Sequence, residues 1–177
     1  HLPSFLSGLE DWMRSVESNM QKITEAFLKV DHWSGLLLNI LIIGVIPALG
    51  EELLFRGVIQ KELFSRNGKI HLSIWITAFL FSAMHSQFLG FIPRFLIGGL
   101  LGYLFYWSGS IWLPILAHFV NNAGAVIISY FINQQSISIE VEHLGTEDGQ
   151  LSMLIIALLG LLMLVYLLKT ISKPQST

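Results

Sequence analysis

The chain has 177 residues, of which 53% are hydrophobic and only 12% are charged, and its mean hydropathy is +0.65. Soluble domains carry about a quarter charged residues. The composition therefore predicts one integral membrane domain. Cysteine is absent, which excludes disulfides, thiolate metal sites and a cysteine nucleophile. The net charge is -2 and the chain has no basic cluster, so we expect membrane lipid and a partner within the lipid, and no nucleic acid.

The predicted fold is an all-α, polytopic transmembrane helical bundle with about five spans and an N-terminal amphipathic helix. This helix occupies residues 1–33, because apolar and charged side chains alternate at helical spacing over residues 5–30. Its mixed charge differs from the Lys/Arg-rich face of lipid-surface helices. We therefore expect it to pack on the bundle, with an interfacial position as the alternative. Since the chain starts at His1 without a signal-peptide pattern, we expect a trimmed or excised chain.

Residues 34–132 contain four apolar segments and are predicted to form the membrane core. The first segment, 34–64, is longer than the roughly 20 residues that a bilayer needs, so it must bend, tilt or protrude. Pro47 has no N–H for the carbonyl of Ile43, which predicts a bend just before Glu51. The other three segments are 70–88, 93–107 and 112–131, with polar or short connections at 65–69 and 108–110.

The C-terminal part of the chain is predicted to be an acidic extracytoplasmic loop, 133–150, followed by a transmembrane helix and tail, 151–177. The apolar run contains no ionisable residue before Lys169, so we interpret it as a lipid anchor or packing helix. Basic residues are present in the loop after the first span and at the C-terminus, which predicts that this loop and the C-terminus lie on the cytoplasmic side. The expected location is a bacterial cytoplasmic membrane, with the C-terminus in the cytoplasm; no oligomeric state follows from the sequence.

Two adjacent glutamates in the first span have different predicted roles. Ionisable side chains at bilayer depth usually face the bundle interior and have partners. Glu52 and Arg56 are four residues apart on one helical face, which favours an ion pair. Glu51 points about 100° away from Glu52. We therefore expect Glu52 to be neutralised structurally and Glu51 to be available for chemistry.

Two histidines in later spans are candidate partners of Glu51. A hairpin folded about residue 68 places Glu51 and His85 seventeen residues to either side, at one depth, where they could share a water. His118 and Asn122 lie on one face of the fourth span, and two N–H donors at one point suit an oxyanion. His118 is only about nine residues past the preceding turn, so we expect it to match Glu51 less well in depth.

Each of these polar features also has a packing interpretation. An intramembrane His can be a structural hydrogen-bond donor, and a buried Glu/Arg pair can serve specificity of packing. Four such features in three of five predicted spans favour a functional site. The histidines interpreted as solvated or interfacial are His1, His32, His71 and His143. The residues interpreted as small-residue packing positions are Gly98, Gly99 and Gly102.

Three short motifs together resemble the CAAX protease and bacteriocin-processing family, also called the Abi family. They are EELLFR at 51–56, FSAMH at 81–85 and HFVNN at 118–122, and the resemblance covers about residues 36–130. Members of this family are intramembrane endopeptidases. Some remove the C-terminal tripeptide from prenylated CAAX proteins, and many bacterial members are linked to bacteriocin maturation or self-immunity.

The resemblance implies a role for each motif residue. Glu51 would be the general base, His85 would help to hold and activate the water, and His118 with Asn122 would stabilise the oxyanion. The supporting residues of the motifs are Glu52, Arg56 and Phe81. Some relatives are proposed to be scaffolds, so a non-catalytic scaffold or a bacteriocin-immunity type of protein is the alternative function.

The family has also been called metalloproteases, which leaves a zinc mechanism as an alternative. Glu51, His85 and His118 could form a three-ligand catalytic zinc site. The sequence has no HExxH motif, and Asn is a poor zinc ligand. We therefore predict a glutamate-dependent mechanism with no metal and no cofactor.

Overall fold

The computed structural model of this chain describes residues 7–86, 88 and 90–134. The regular secondary structure of these ranges is helical, which confirms the predicted all-α class there. The five helices of the described part are α1 Ser7–Leu28, α2 Trp33–Asn67, α3 Ile70–Met84, α4 Phe91–Ser108 and α5 Trp112–Asn133.

Two of the described helices, α2 and α5, are long and apolar enough to cross a membrane. Helix α3 is apolar but has 15 residues, and α4 has 18. The predicted acidic loop and the fifth span lie outside the described residues. The structure therefore supports a helical membrane protein, while the number of spans stays a prediction.

Helix α1 is amphipathic, as predicted, and its C-terminal end packs on the bundle. Leu28 packs against the small buried cluster of Leu36 and Tyr130, and the side chain of Asn133 donates a hydrogen bond to the carbonyl of Leu28. The large apolar side chains further up the helix, such as Trp12, are exposed. The structure therefore supports both predicted positions of α1. Its C-terminal end packs on the bundle, and its exposed apolar side chains fit an interfacial position.

Helix α2 is a continuous helix of 35 residues that runs through Pro47. Two of its stretches are π-helical, Ile40–Val45 and Leu53–Gln60. They flank the α-helical segment Ile46–Glu52, and π-helical turns are rare and frequent at functional sites. A helix of this length is roughly 50 Å long, so it exceeds the bilayer core as predicted. The bend expected before Glu51 stays a prediction.

Two glycines end helices at the predicted turns. Gly68 and Gly109 follow α2 and α4, and each has a φ of 64°. This left-handed conformation closes a helix without the steric cost that a Cβ would bring. The turn at Gly68 produces the antiparallel α2–α3 hairpin that brings Glu51 and His85 together.

Helices α3 and α4 pack closely against each other. A Cβ on Gly98 would lie 3.2 Å from the Ala78 Cα, and one on Gly99 would lie 2.6 Å from the Trp75 ring. Glycine therefore allows the two backbones to approach closely, as the small-residue interpretation predicted.

The outward face of α2 is apolar. Leu37, Ile46, Leu53 and Val58 are each more than half exposed. Soluble monomers rarely expose an apolar surface that continues along a whole helix. This face therefore fits contact with lipid chains.

Candidate active site

The predicted site residues lie around one cavity between α2, α4, α5 and the end of α3. The cavity has a volume of about 460 Å³, and its wall is otherwise largely apolar. The polar side chains that line it are Glu51, His85, Arg94, His118, Asn121 and Asn122.

Glu51 projects into this cavity and is mostly buried. Its Oε2 atom lies 3.8 Å from the Nε2 atom of His85 and 3.9 Å from the Nε2 atom of His118. Oε2 is buried and has no hydrogen-bond partner among the described residues. Both separations are too long for a direct hydrogen bond and suit one intervening water oxygen.

Glu52 faces away from the cavity and is fully buried. Its Oε1 atom accepts hydrogen bonds from Nη1 of Arg56 at 2.7 Å and from Nδ1 of His118 at 2.8 Å. The guanidinium of Arg56 also donates to the carbonyl of Gly98 at 2.8 Å. The predicted ion pair is present, and it also connects α2 to α4 and α5.

His85 follows directly after α3, and its ring has a defined tautomer. Nδ1 lies 2.8 Å from the carbonyl oxygen of Phe81. A carbonyl only accepts, so Nδ1 carries a proton, and Nε2 of the neutral ring is an acceptor. The next residue, Ser86, has a φ of 52°, an uncommon value for a residue other than glycine. The ring therefore presents its acceptor nitrogen to Glu51 from the end of a helix.

His118 is held in the opposite direction by Glu52. Because a carboxylate only accepts, Nδ1 of His118 donates to Glu52, and Nε2 points to Glu51. Nε2 can donate to an oxyanion only if the ring carries protons on both nitrogens. The oxyanion role therefore requires the imidazolium form, and two adjacent carboxylates are placed to balance its charge.

The amide of Asn122 is oriented by two neighbours. Its Nδ2 donates to the carbonyl of Ile43 at 3.1 Å, and its Oδ1 accepts from Asn121 at 3.2 Å. The Ile43 carbonyl is the one that Pro47 leaves without its usual helical donor. One N–H of Asn122 remains for a ligand in the cavity.

Phe81 packs between the two histidines and the buried ion pair. Its ring centroid lies 5.0 Å from that of His85 and 5.8 Å from that of His118, both at edge-on angles. The guanidinium carbon of Arg56 lies 4.9 Å from the same ring. Phe81 therefore fixes both imidazoles by packing.

The expected mismatch in depth between His118 and Glu51 was wrong. The two histidines are equally close to Glu51. Counting residues from the turns assumes parallel helices whose turns lie at one depth. The 2.8 Å hydrogen bond from His118 to Glu52 shows that α5 does not follow this assumption relative to α2.

Sequence reasoning missed two features of the site. The contact between His118 and Glu52 joins residues 66 positions apart, for which no local spacing gives a signal. Arg94 was not among the predicted site residues, but it lines the cavity. The same rule that selected Glu51 could have found it, since an Arg within an apolar run usually has a partner or a ligand.

The three candidate zinc ligands are further apart than a bound zinc ion would hold them. Zinc–ligand bonds of 2.0–2.2 Å place tetrahedral ligand atoms roughly 3.4 Å apart, whereas Glu51 lies 3.8 and 3.9 Å from the two histidines. Among the described residues, no group of three His, Asp or Glu side chains forms a metal site as placed. The side chains would have to move inward to bind zinc, and the metal-free mechanism stays a prediction.

Comparison with known families identifies the class of this protein. Residues 33–124 match the family described as type II CAAX prenyl endopeptidase Rce1-like. The match covers more than half of the chain, so the chain belongs to this family. The resemblance predicted from the three motifs is confirmed. The family is membrane-integral, and the apolar helices α2 and α5 fit this.

Two proteins of Bacillus subtilis (strain 168) are similar to part of this chain. "Uncharacterized protein YpbD" is 33% identical over 89 residues, which cover 48% of this chain and 42% of YpbD. "Sporulation-killing factor biosynthesis protein SkfC" is 34% identical over 82 residues, which cover 42% of this chain and 16% of SkfC. The matches thus span less than half the length of either relative. No solved structure gives a significant match.

Proposed function

We propose that this protein is an intramembrane endopeptidase that hydrolyses a peptide bond of a membrane-associated or lipidated substrate. The observation that carries this proposal is the Oε2 atom of Glu51. It is buried, has no hydrogen-bond partner among the described residues and faces two imidazole nitrogens across a space that suits one water. Family membership supports a protease of the CAAX type.

The first step is the attack of water on the scissile carbonyl. A water between Glu51 and His85 donates one hydrogen bond to each, since both present acceptors. Glu51 takes a proton as the oxygen attacks the carbonyl carbon, and the carbonyl oxygen becomes the oxyanion. The imidazolium of His118 and the remaining N–H of Asn122 donate to that oxyanion.

The second step is the collapse of the tetrahedral intermediate. The carbon–nitrogen bond breaks, and protonated Glu51 returns its proton to the leaving amine. The products are a new C-terminal carboxylic acid, which passes the second proton of the water to the new amine or to solvent, and a new N-terminus. Water is the only co-reactant, and Glu51 ends in its starting form.

The test uses one conservative substitution and a matched control. Glu51→Gln keeps the size of the side chain but removes the base, so kcat/KM for cleavage of a membrane-anchored peptide should fall by about 10²–10⁴-fold. Glu62→Gln makes the same change on the exposed part of α2, where Glu62 pairs with Arg66, and should change kcat/KM less than about twofold. Cleavage by Glu51→Gln at a rate close to that of the unmodified protein would refute the mechanism.

The metal-free form of the mechanism has its own test. Peptidase activity in detergent should persist in the presence of a zinc chelator, because no step uses a metal ion. Activity that is lost with the chelator and restored by added zinc would instead assign Glu51, His85 and His118 as ligands.

The proposal extends to location and to a class of substrate. The chain would lie in a bacterial cytoplasmic membrane, with its C-terminus in the cytoplasm and residues 133–150 outside. The relative named for the biosynthesis of a sporulation-killing factor suggests a bacteriocin-like peptide as one substrate, and the family description suggests a prenylated one. Cleavage rates of a fluorogenic farnesylated CAAX peptide and of an unprenylated membrane-anchored peptide would show which of these two substrate classes the protein prefers.

A non-catalytic scaffold or immunity role is the second candidate, and the buried network favours it. Glu52, Arg56 and His118 connect three helices, which would also serve a purely structural site. Under this function, Glu51→Gln would change partner binding or stability and leave no peptidase activity to lose.

A further inference from the structure

Arg94 is a cation in the wall of the active-site cavity that the proposed chemistry does not use. It lies near the start of α4, and it is the only Lys or Arg among the described residues that line the cavity. The wall beside it is formed by apolar side chains, including Pro93 and Ile97. Its charge therefore lies beside the space that a substrate would enter.

The guanidinium of Arg94 has space made for it by a glycine. A Cβ on Gly90 would lie 3.1 Å from Nη2 and 3.3 Å from Nη1 of Arg94. A side chain at position 90 would therefore require the guanidinium to shift by a few tenths of an ångström. Arg94 also interacts electrostatically with the carboxylates of Glu51 and Glu17, so its charge acts at the site of hydrolysis.

Arg94 differs in its surroundings from the fully buried arginine of the bundle. Arg56 is the structural guanidinium, with no exposed side-chain surface and bonds to Glu52 and Gly98. Arg94 is only partly buried. The first turns of α4 also disfavour a cation, because the helix N-terminus carries partial positive charge. Arg94 therefore lies where an anionic group of a bound substrate can also reach it.

We propose that Arg94 binds a carboxylate of the substrate peptide while Glu51 acts at the scissile bond. This inference rests on the proposed peptidase function, because carboxylates are the anionic groups of an unmodified peptide. A guanidinium can bind one through two parallel hydrogen bonds, which fixes orientation as well as position. The carboxylate is either the C-terminus of the substrate or an Asp or Glu side chain near the scissile bond.

The experiment compares matched peptides in liposomes that contain the full chain. The probes are a fluorogenic farnesylated CAAX peptide with a free C-terminal carboxylate and the same peptide as its C-terminal amide. A second, amidated pair has either Glu or Gln within three residues of the scissile bond. Arg94→Gln is compared with Arg66→Gln, which removes an exposed arginine that pairs with Glu62.

The expected result is a loss in KM that depends on the carboxylate. Arg94→Gln should raise KM for the peptide that carries the recognised carboxylate by about 10- to 100-fold, with little change for its uncharged partner and in kcat. Arg66→Gln should change neither. A change in KM for the first pair of peptides would show that Arg94 binds the C-terminal carboxylate, and a change for the second pair would show that it binds a side-chain carboxylate. Equal effects on all four peptides, a loss in kcat alone, or no effect would overturn the proposal.

A binding measurement separates this proposal from the peptidase function itself. The same peptides, labelled with a dye, are titrated against the Glu51→Gln variant by fluorescence anisotropy. A preference for the carboxylate that Arg94→Gln removes supports the role of Arg94, even if no peptide is cleaved. Equal affinities for both members of each pair would overturn it. If Arg94→Gln does not fold, Arg94→Lys keeps the charge without the paired donors and should retain only part of the preference.

Discussion

Glu51 and Glu52 are neighbours in the chain whose carboxylates have opposite surroundings. Glu52 has no exposed surface and is held by Arg56 and His118. Glu51 lies at the cavity, where its Oε2 atom faces the nitrogens of two histidines at 3.8 and 3.9 Å. One carboxylate thus connects helices, and the other is the group that we propose takes a proton from the attacking water.

At the same scale, the side chain of Asn122 replaces a backbone hydrogen bond that Pro47 cannot make to the carbonyl of Ile43. Pro47 cannot donate to the carbonyl of Ile43, and Nδ2 of Asn122 donates there instead. Asn122→Ala should therefore lower the free energy of unfolding by roughly 1–3 kcal/mol and lower kcat by about 10²–10³-fold, because an oxyanion donor is lost.

A double-mutant cycle separates these two effects. In the Pro47→Ala background the backbone N–H of residue 47 can donate to Ile43, so Asn122→Ala should cost less stability while the loss in kcat persists. Thermal unfolding in detergent and cleavage rates measure both. Stability costs that are equal in the two backgrounds would contradict the proposed role of Asn122 at Ile43.

At the scale of elements, two hydrogen bonds from α2 to glycine carbonyls of α4 hold these helices together. Arg56 reaches the carbonyl of Gly98, and Gln60 one turn later reaches that of Gly102. A Cβ on Gly102 would lie 2.8 Å from Oε1 of Gln60, and one on Gly98 would meet Ala78 of α3. The glycine positions therefore matter for the site as well as for packing.

Gly98→Ala tests this packing. The added Cβ would lie 3.2 Å from the Cα of Ala78, and a backbone atom cannot move aside cheaply, so we expect a loss of about 1–3 kcal/mol in stability. Gly124→Ala on α5 is the matched control, because a Cβ there meets nothing within 4 Å. Equal melting temperatures for the two variants would show that the contact tolerates a methyl group.

Helix α1 reaches the same end of the bundle as the cavity. Trp12 lies 5.6 Å from Phe88, measured between ring centroids, and Glu17 interacts electrostatically with Arg94. An amphipathic helix outside the core motifs therefore contributes to the surroundings of the site. Its exposed apolar face fits a position at the membrane surface, where a membrane-associated substrate would approach.

At the scale of the whole molecule, patterns within one helix or one hairpin were the predictable part. The spacing of Glu52 and Arg56 and the turn near residue 68 need only helical geometry, and the structure contains both features. Contacts between distant segments were not predictable. The bond from His118 to Glu52 and the position of Arg94 depend on helix lengths and on glycine contacts, for which hydropathy gives no measure.

The separate roles of Glu51 and Glu52 are the central claim, and paired measurements on Glu51→Gln and Glu52→Gln test it most directly. Glu51→Gln should lower kcat/KM by about 10²–10⁴-fold and leave the melting temperature unchanged. Glu52→Gln should lower the melting temperature by about 5–10 °C, because the buried charge of Arg56 loses its partner. A Glu51→Gln variant that cleaves at the normal rate, or one that unfolds as readily as Glu52→Gln, would contradict the account.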